Sequence, residues 1–179
     1  MSHAAPHIGE RAAALRQAFD RGFAEPARLE TAAEADFLAI LVGSASYALR
    51  LTEIAGLFAS KKITRLPGRR GGLLGIAGFR GAILPVYGVQ NLIGSGIETP
   101  PRWLAVAAAA PVALAFEGLE GQLRVPADAV VPRQKSAESE QFTRDFVRLE
   151  GRTLPILHLP SILDAIHSHS AEAISKGER

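Results

Sequence analysis

The sequence contains no cysteine, and several other features typical of particular protein classes are scarce. Without cysteine there is no disulfide framework, no thiolate metal site and no thiolate nucleophile, which suits a reducing compartment. Aromatic residues make up only 6% of the chain, so it lacks the stacking surfaces of single-strand nucleic-acid binders. These absences argue against a secreted disulfide protein, a cysteine enzyme and a nucleic-acid binder.

Long apolar runs are also absent. The most apolar stretch, residues 103–116, contains Pro111 and is shorter than the roughly 20 residues that a membrane-spanning helix needs. The N-terminus shows no apolar core of a secretory signal. We therefore expect a cytoplasmic protein with no membrane-inserted segment, and 179 residues suffice for one well-buried domain or two small ones sharing a core.

The residue sets that common enzymes need are missing as well. No GK[ST] phosphate loop or Gly-x-Ser-x-Gly elbow occurs, and residues 94–99, GSGIET, lack the third glycine of a dinucleotide-binding turn. Acidic residues fall in predicted loops, where solvated carboxylates are usual. His158, His167 and His169 are close in sequence, but no carboxylate or thiol completes a ligand set. We expect no catalytic residue, no cofactor and no metal.

One segment of the chain occurs twice. Residues 78–94, GFRGAILPVYGVQNLIG, are echoed by residues 148–163, RLEGRTLPILHLPSIL, at a constant offset of 70 residues (151 − 81). The matched positions are Gly81 and Gly151, Leu84 and Leu154, Pro85 and Pro155, Val86 and Ile156, Val89 and Leu159, and Leu92 and Ile162. A glycine, a Leu-Pro pair and apolar positions in one register predict a duplicated structural unit.

Local patterns predict many short strands. Apolar residues at helical spacing predict an amphipathic helix over residues 8–24, and a linker follows to residue 35. Turn signals then separate a hairpin that begins at Phe37 from a series of further strands, and a short helix precedes a frayed tail. The predicted elements are strands at 73–79, 82–87, 103–109, 112–117 and 122–125, a turn at Gly121, two strands around Glu150 and Gly151, and a helix at 161–166. Duplicated short strands indicate two small barrels that share a core.

Arg80 is the most prominent candidate for a binding residue. It lies at a predicted tight turn between two apolar strands, flanked by Phe79 and Gly81, where a rigid scaffold would present its guanidinium to solvent. The alternative is a turn arginine that only adds solubility. The basic stretch KKITRLPGRRGG, residues 61–72, is likewise either a solvated loop or a site for phosphate or anionic lipid.

Residues 63–94, ITRLPGRRGGLLGIAGFRGAILPVYGVQNLIG, together with FLAILVGSASYALRL before them, resemble the CheW-like chemotaxis coupling-protein family. That family's signature contains an apolar-Gly-apolar step, an Asn-Leu-Arg-Gly turn and a Pro followed by two apolar residues. The second half resembles the family more loosely, through PVALAFEGLEG and FTRDFVRLEGRTLPILHL, and the resemblance covers Phe37 to about Ile166. The signature positions matched are Gly75, Ile76, Arg80, Gly81, Pro85 and Val86.

The resemblance implies a mainly β fold of two packed, five-stranded SH3-like barrels, with an N-terminal amphipathic helix and a short C-terminal helix. The implied boundaries are 1–35 for the helix and linker and 36–167 for the CheW-like domain. Within that domain we expect a first barrel at about 37–100 and a second at about 101–167. A flexible tail is expected at 168–179.

The resemblance also implies a function. Members of the family are non-catalytic adaptors that link the cytoplasmic tip of chemoreceptors to the regulatory domain of a CheA-type histidine kinase, at membrane-associated arrays. Carried over by position, Arg80 with Phe79 and Gly81 belongs to the coupling surface, and Ile54 and Leu84 are expected to line an apolar groove between the barrels.

The sequence departs from the family pattern at four positions, which puts ordinary coupling in doubt. Gly78 stands where Asn is usual, Gly88 and His158 where Asp is usual, and Gly56 where many members have Glu. Three alternatives stay open at this point. The chain could be a divergent paralogue that damps the array, an SH3-like barrel that binds RNA or another protein, or a small-ligand sensor.

Overall fold

A computed structural model describes residues 34–67, 71–94, 99–132 and 141–176, with only the backbone considered for 169–176. The predicted N-terminal helix and most of its linker lie outside these residues. The described residues form eleven strands and two α-helices. In chain order they are β1 Glu34–Val42, β2 Ala45–Arg50, β3 Ile54–Ala59, β4 Leu73–Phe79, β5 Ala82–Gly88, α1 Val89–Ile93, β6 Trp103–Ala107, β7 Ala113–Phe116, β8 Gly118–Pro126, β9 Val130–Pro132, β10 Thr143–Leu149, β11 Arg152–Leu157 and α2 Leu159–Lys176.

The strands form two sheets, and each sheet combines strands from both halves of the chain. One is six-stranded in the order β8-β1-β2-β11-β10-β9, and the other is five-stranded in the order β3-β6-β7-β5-β4. The β1–β2 hairpin therefore pairs with strands of the second half, and the β6–β7 hairpin pairs with strands of the first. The two sheets therefore do not divide the chain at about residue 100, where the boundary between the barrels was expected, because each repeat contributes its first hairpin to the other sheet.

Two parallel strand pairings join each of these hairpins to the sheet of the other half of the chain. Strand β11 lies parallel to β2, with Ile156 opposite Ala48, and β5 lies parallel to β7, with Val86 opposite Ala113. Val86 and Ile156 are matched positions of the 70-residue repeat, so the same step occurs once in each sheet. All other strand pairings are antiparallel. The pairs β1–β2, β4–β5, β6–β7 and β10–β11 form hairpins, whereas β1–β8 and β3–β6 also join strands from different halves of the chain.

Gly121 does not form the predicted turn. It lies inside β8, opposite Ala39, where the register between β1 and β8 shifts at the step from Ala39 to Ile40. Its φ of 155° is one that residues with a side chain rarely adopt, so glycine allows the strand to bulge there instead of ending.

Three groups of buried residues stabilise the fold. One lies within the six-stranded sheet and includes Phe37, Val147 and Leu154. A second lies within the five-stranded sheet and includes Phe79, Leu84 and Val86. The third, which we call the shared core, is the largest; it combines residues of both sheets and both helices. Its fully buried members include Ile40, Leu49, Val89, Leu114, Phe116, Leu157, Leu159 and Ile162.

Helix α2 is longer than the sequence pattern predicts. A helix at residues 161–166 was expected, whereas the observed helix begins at Leu159 and continues to Lys176. Residues 167–176 contain no glycine or proline to stop a helix, and the first such residue is Gly177. The apolar side that anchors α2 to the shared core comes from its first turns, through Leu159, Ile162, Leu163 and Ile166.

Candidate functional site

The turn between β4 and β5 has the geometry of a tight two-residue hairpin. Phe79 pairs with Ala82 across it, and the two central residues, Arg80 and Gly81, have positive φ values of 46° and 89°. Positive φ at both central positions matches the right-handed twist of the flanking strands. Arg80 is exposed and is one of two non-glycine residues with positive φ in the described chain. The expected turn is thus present, and it fixes the direction of the arginine side chain.

An aromatic pair supports this turn from inside the barrel. Phe79 is 4% exposed, and its ring meets Phe58 of β3 edge to face, with centroids 5.0 Å apart and planes at 67°. The Arg80 guanidinium lies 5.8 Å from the centroid of the Phe58 ring, and the Lys61 ammonium lies 5.5 Å from the same centroid. Each contact is an attraction between a cation and a ring. Phe58 therefore holds two cations near each other at one end of the barrel.

Gly56 makes room for this ring. A Cβ at position 56 would lie 3.0 Å from Phe58 Cε2, so a larger residue would require the ring to shift by a few tenths of an ångström. Gly56 thus lets the Phe58 ring pack closely against the strand.

An apolar side chain lies on the outer face of the same hairpin. Ile83 is 72% exposed, the highest value among the large hydrophobic residues of the described chain. It pairs across the hairpin with Gly78, where an added Cβ would meet nothing within 4 Å. Gly78 thus places no side chain beside the exposed isoleucine.

The structure separates the two residues expected to line a groove. Leu84 is 9% exposed and packs inside the five-stranded barrel with Phe79 and Val86. Ile54 is half-buried and packs against the shared core instead. The hairpin residues Phe79, Arg80 and Gly81 do lie together, but Ile54 and Leu84 belong to different apolar clusters.

Glu53 joins several elements at the point where the chain passes from one sheet to the other. It ends a short 3-10 turn, Leu51–Glu53, and its backbone carbonyl accepts a hydrogen bond from Ala108 N–H at 2.9 Å. Its carboxylate accepts a hydrogen bond from Leu159 N–H at the start of α2. The buried Oε2 atom has no hydrogen-bond partner among the described residues. Burial raises the pKa of Glu53, and the Leu159 hydrogen bond and the charges of His158 and Arg50 oppose this rise.

His158 replaces the usual aspartate as a helix cap. Its Nδ1 accepts a hydrogen bond from the backbone N–H of Ser161 at 3.2 Å and lies 2.8 Å from the Ser161 hydroxyl. At the equivalent position before α1, Gly88 makes no side-chain cap, and the space of a Cβ is filled by the amide oxygen of Asn91. The departure at His158 is therefore compensated locally, whereas at Gly88 the helix begins without a side-chain cap.

Three arginines of the six-stranded sheet are paired with carboxylates of the same sheet. Arg50 forms an ion pair with Asp145 at 3.2 Å, Arg124 with Asp36 at 2.9 Å, and Arg152 with Glu120 at 2.9 Å. A hydrogen bond from Arg124 lowers the pKa of Asp36, and hydrogen bonds from Ser46 and Arg152 lower that of Glu120. No comparable pairing is recorded for Lys61, Lys62, Arg65 or Arg80 within the described residues.

The described residues hold no group of three or more His, Asp or Glu side chains placed to bind a metal ion. They also contain no helix long and apolar enough to cross a bilayer. The arrangement offers a rigid hairpin with a cation at its turn and an isoleucine on its outer face, which is suited to contact with another macromolecule.

Sequence reasoning missed the positions of Ile83 and Phe58, and it included Lys61 only as part of the basic stretch 61–72. The signal for Ile83 was present, because a strand in which Leu84 and Val86 face inward must turn residue 83 outward. The contact of Phe58 with Arg80 joins β3 to a turn 22 residues away (80 − 58), which local patterns do not indicate.

Comparison with known proteins places this surface in context. The family model of the CheW-like domain matches residues 36–167. Among solved structures, the crystal structure of the scaffolding protein TtCheW from Thermoanaerobacter tengcongensis is similar, with a TM-score of 0.64 and 14% sequence identity over 70% of this chain and 89% of that one. At this identity the likeness shows the fold. No curated protein sequence matches the chain.

Proposed function

Because the chain belongs to the CheW-like domain family, whose members serve as chemotaxis scaffolds, we propose that it couples chemoreceptors to a CheA-type histidine kinase. The chain would bind the cytoplasmic tip of the receptors and the regulatory domain of the kinase, and it would work without catalysis. Its place would be the cytoplasmic face of receptor arrays. The scaffold role agrees with the printed description of TtCheW as a scaffolding protein.

The observation that supports a contact on the first hairpin is the exposure of Ile83 beside a turn that presents Arg80. A large apolar side chain that is 72% exposed on a rigid strand is a typical anchor for a partner. Phe79 is buried and therefore acts through the position of the turn, and Gly81 supplies the required φ. Leu84 supports the strand from inside. Ile54 stays a proposed partner-binding residue, but it packs against the shared core and not on the hairpin.

The test is a calorimetric titration of the full chain against the regulatory domain of the CheA-type kinase from the same cell, with the variant Arg80→Glu. Reversal of this charge at an interface should weaken binding at least about tenfold, while the temperature of unfolding stays close to that of the wild type. Arg148→Glu is the matched control, since Arg148 is an exposed arginine of the other hairpin and the charge changes by the same amount.

Three outcomes would count against the proposal. Equal loss in both variants would show a general charge effect and remove the first hairpin as the contact. A large fall in the unfolding temperature of Arg80→Glu would make Arg80 a structural residue. Failure of the folded wild-type chain to bind either the kinase domain or a receptor tip fragment would contradict the coupling function itself.

A further inference from the structure

The charges of the chain are distributed unevenly along the sequence. Residues 54–97 contain six cationic residues and no aspartate or glutamate; the six are Lys61, Lys62, Arg65, Arg69, Arg70 and Arg80. Since the whole chain has a net charge of +2, all other residues together carry −4 (2 − 6). The segment that supplies β3, β4 and β5 is therefore a cationic part of an otherwise acidic chain.

The cations of this segment are exposed and lack carboxylate partners. Lys61, Lys62, Arg65 and Arg80 are all exposed, and none forms an ion pair within the described part of the chain. In the six-stranded sheet, by contrast, Arg50, Arg124 and Arg152 each have a carboxylate within 3.2 Å. Three of the five arginines of that sheet are thus paired. The other two, Arg144 and Arg148, lie within two residues of Asp145 and Glu150, whereas the segment of residues 54–97 contains no acidic residue at all.

Two of these cations are also held in place. Lys61 and Arg80 both lie within 5.8 Å of the Phe58 ring centroid, although they repel each other. The ring offsets part of that repulsion, and a carboxylate brought by a partner would offset the rest. Because each cation already contacts the ring, less side-chain freedom is lost when the partner arrives.

From these observations we infer that the surface around Lys61, Lys62, Arg65 and Arg80 binds an acidic protein face that also has an apolar recess for Ile83. This inference deepens the proposed function, because the acidic face would belong to one of the two coupling partners. Cations around an apolar anchor match a protein interface, in which carboxylates surround a hydrophobic centre.

A protein partner agrees better with these residues than a nucleic acid or a membrane. Single-stranded nucleic acid needs an open aromatic face for stacking, and the Phe58 ring is already engaged by Phe79, Lys61 and Arg80. A phosphate backbone offers no recess for Ile83. A lipid surface attracts scattered cations equally and does not require two of them to be fixed on one ring.

The test compares two double variants of equal charge change in the full chain. Lys62→Gln with Arg65→Gln removes two of the unpaired cations and leaves the contacts of Phe58 intact. Arg144→Gln with Arg148→Gln removes two exposed arginines of β10. The association rate with the kinase regulatory domain, and separately with a receptor tip fragment, is measured by stopped flow at low and high ionic strength.

With one of these partners, the Lys62/Arg65 variant should associate about tenfold more slowly than the wild type at low ionic strength, and the difference should shrink at high ionic strength. The Arg144/Arg148 variant should keep the wild-type rate. Equal rates for both variants with both partners, at every ionic strength, would overturn the inference even if binding itself occurs.

A second probe separates this inference from the coupling function. Binding of a fluorescent poly-glutamate peptide, of vesicles with phosphatidylglycerol and of poly-uridine RNA is measured by anisotropy or sedimentation with the same variants. If the wild type binds no coupling partner, the coupling function fails; poly-glutamate binding that only the Lys62/Arg65 variant loses would still support an acidic protein partner. Loss of vesicle or RNA binding with unchanged poly-glutamate binding would overturn it.

Discussion

In the β4–β5 hairpin Ile83 lies opposite Gly78, whereas at the equivalent positions of the β10–β11 hairpin, 70 residues later, Thr153 lies opposite Arg148. Both hairpins turn at a glycine with positive φ, 89° at Gly81 and 81° at Gly151. The duplicated unit therefore kept its strand register and its turn glycine, although Arg80 has positive φ and Glu150 does not, and it changed its outer face. One copy presents a bare isoleucine, and the other a polar pair.

The residue before each turn glycine also differs between the two hairpins. Arg80 stands at the first turn and Glu150 at the second, so the two turns have opposite charges. The surroundings of the two turns differ as well, since the six-stranded sheet pairs three of its five arginines with acids, whereas Lys61, Lys62, Arg65 and Arg80 form no ion pair within the described residues. We propose that the duplication supplied two similar scaffolds and that the first carries the surface for a partner.

The largest expected effect concerns what the two hairpins share. Leu84 and its repeat partner Leu154 are 9% and 3% exposed, so Leu84→Asp and Leu154→Asp each place a charge in a barrel core. Each should cost more than about 3 kcal/mol and leave little folded protein. Ile83→Asp, one residue away but facing out, should unfold at nearly the wild-type temperature. Circular dichroism during heating measures all three, and a stable Leu84→Asp protein would show that the strand faces are wrongly assigned.

The next effect tests a point at which the sheets differ. Gly75 of β4 has a φ of 149°, and a Cβ there would collide with the carbonyl oxygen of Thr64, whereas position 145, its repeat partner, holds an aspartate. Gly75→Ala should therefore destabilise by about 2–4 kcal/mol in urea unfolding. Gly78→Ala is the control, because its Cβ is unhindered, and it should leave stability equal or up to about 1 kcal/mol higher. Similar losses in both variants would contradict the close approach at Gly75.

A smaller effect is expected at the crossing between the sheets. Because burial raises the pKa of Glu53, its ionised form is disfavoured in the folded state. The free energy of unfolding therefore falls as the pH rises from 4.5, the ordinary pKa of glutamate, through the raised pKa of the folded state. Glu53→Gln removes this loss and still accepts the Leu159 hydrogen bond. At neutral pH the variant should be more stable by less than about 1 kcal/mol, since the group is partly solvated.

This prediction is checked by urea unfolding at several pH values. The advantage of Glu53→Gln over the wild type should disappear below pH 4.5, where both side chains are neutral. A variant less stable than the wild type at neutral pH would mean that the negative charge at the start of α2 stabilises the fold more than its burial costs.

The smallest effect concerns the paired charges of the six-stranded sheet. Arg124 lies 2.9 Å from Asp36, but both side chains are well solvated, so Arg124→Ala should change urea unfolding by no more than the error of the measurement. Its kinase binding should equal that of the wild type. A clear loss of binding would show that the six-stranded sheet also contributes to the interface.

Much of this fold was predictable from local patterns. Both hairpin turns, most strands and the duplication followed from glycine positions and from apolar residues in register. The exchange of hairpins between the sheets could not be predicted from local patterns, because the pairings of Ile156 with Ala48 and of Val86 with Ala113 join strands distant in sequence. Gly121 shows the same limit, since a glycine flanked by Glu120 and Gln122 fits a turn and a bulge equally well.

The candidate surface was predicted in part. Arg80 and Gly81 followed from the turn and from the family signature, but the role of Gly78 did not, because its significance lies in the side chain across the hairpin. Glu53 was interpreted as an ordinary turn carboxylate, and its contact with Leu159 depends on how α2 packs. Such contacts arise from tertiary packing and leave no mark on neighbouring sequence.

One measurement tests most directly whether the difference between the two hairpins determines partner binding. The full chain with Ile83→Thr and Gly78→Arg, which gives the first hairpin the outer pair of the second, is titrated against the kinase regulatory domain. The chain with Thr153→Ile and Arg148→Gly, the reverse change, is the control. We predict that the first variant stays folded and loses binding while the control binds as the wild type does; unchanged binding in the first variant would contradict the account.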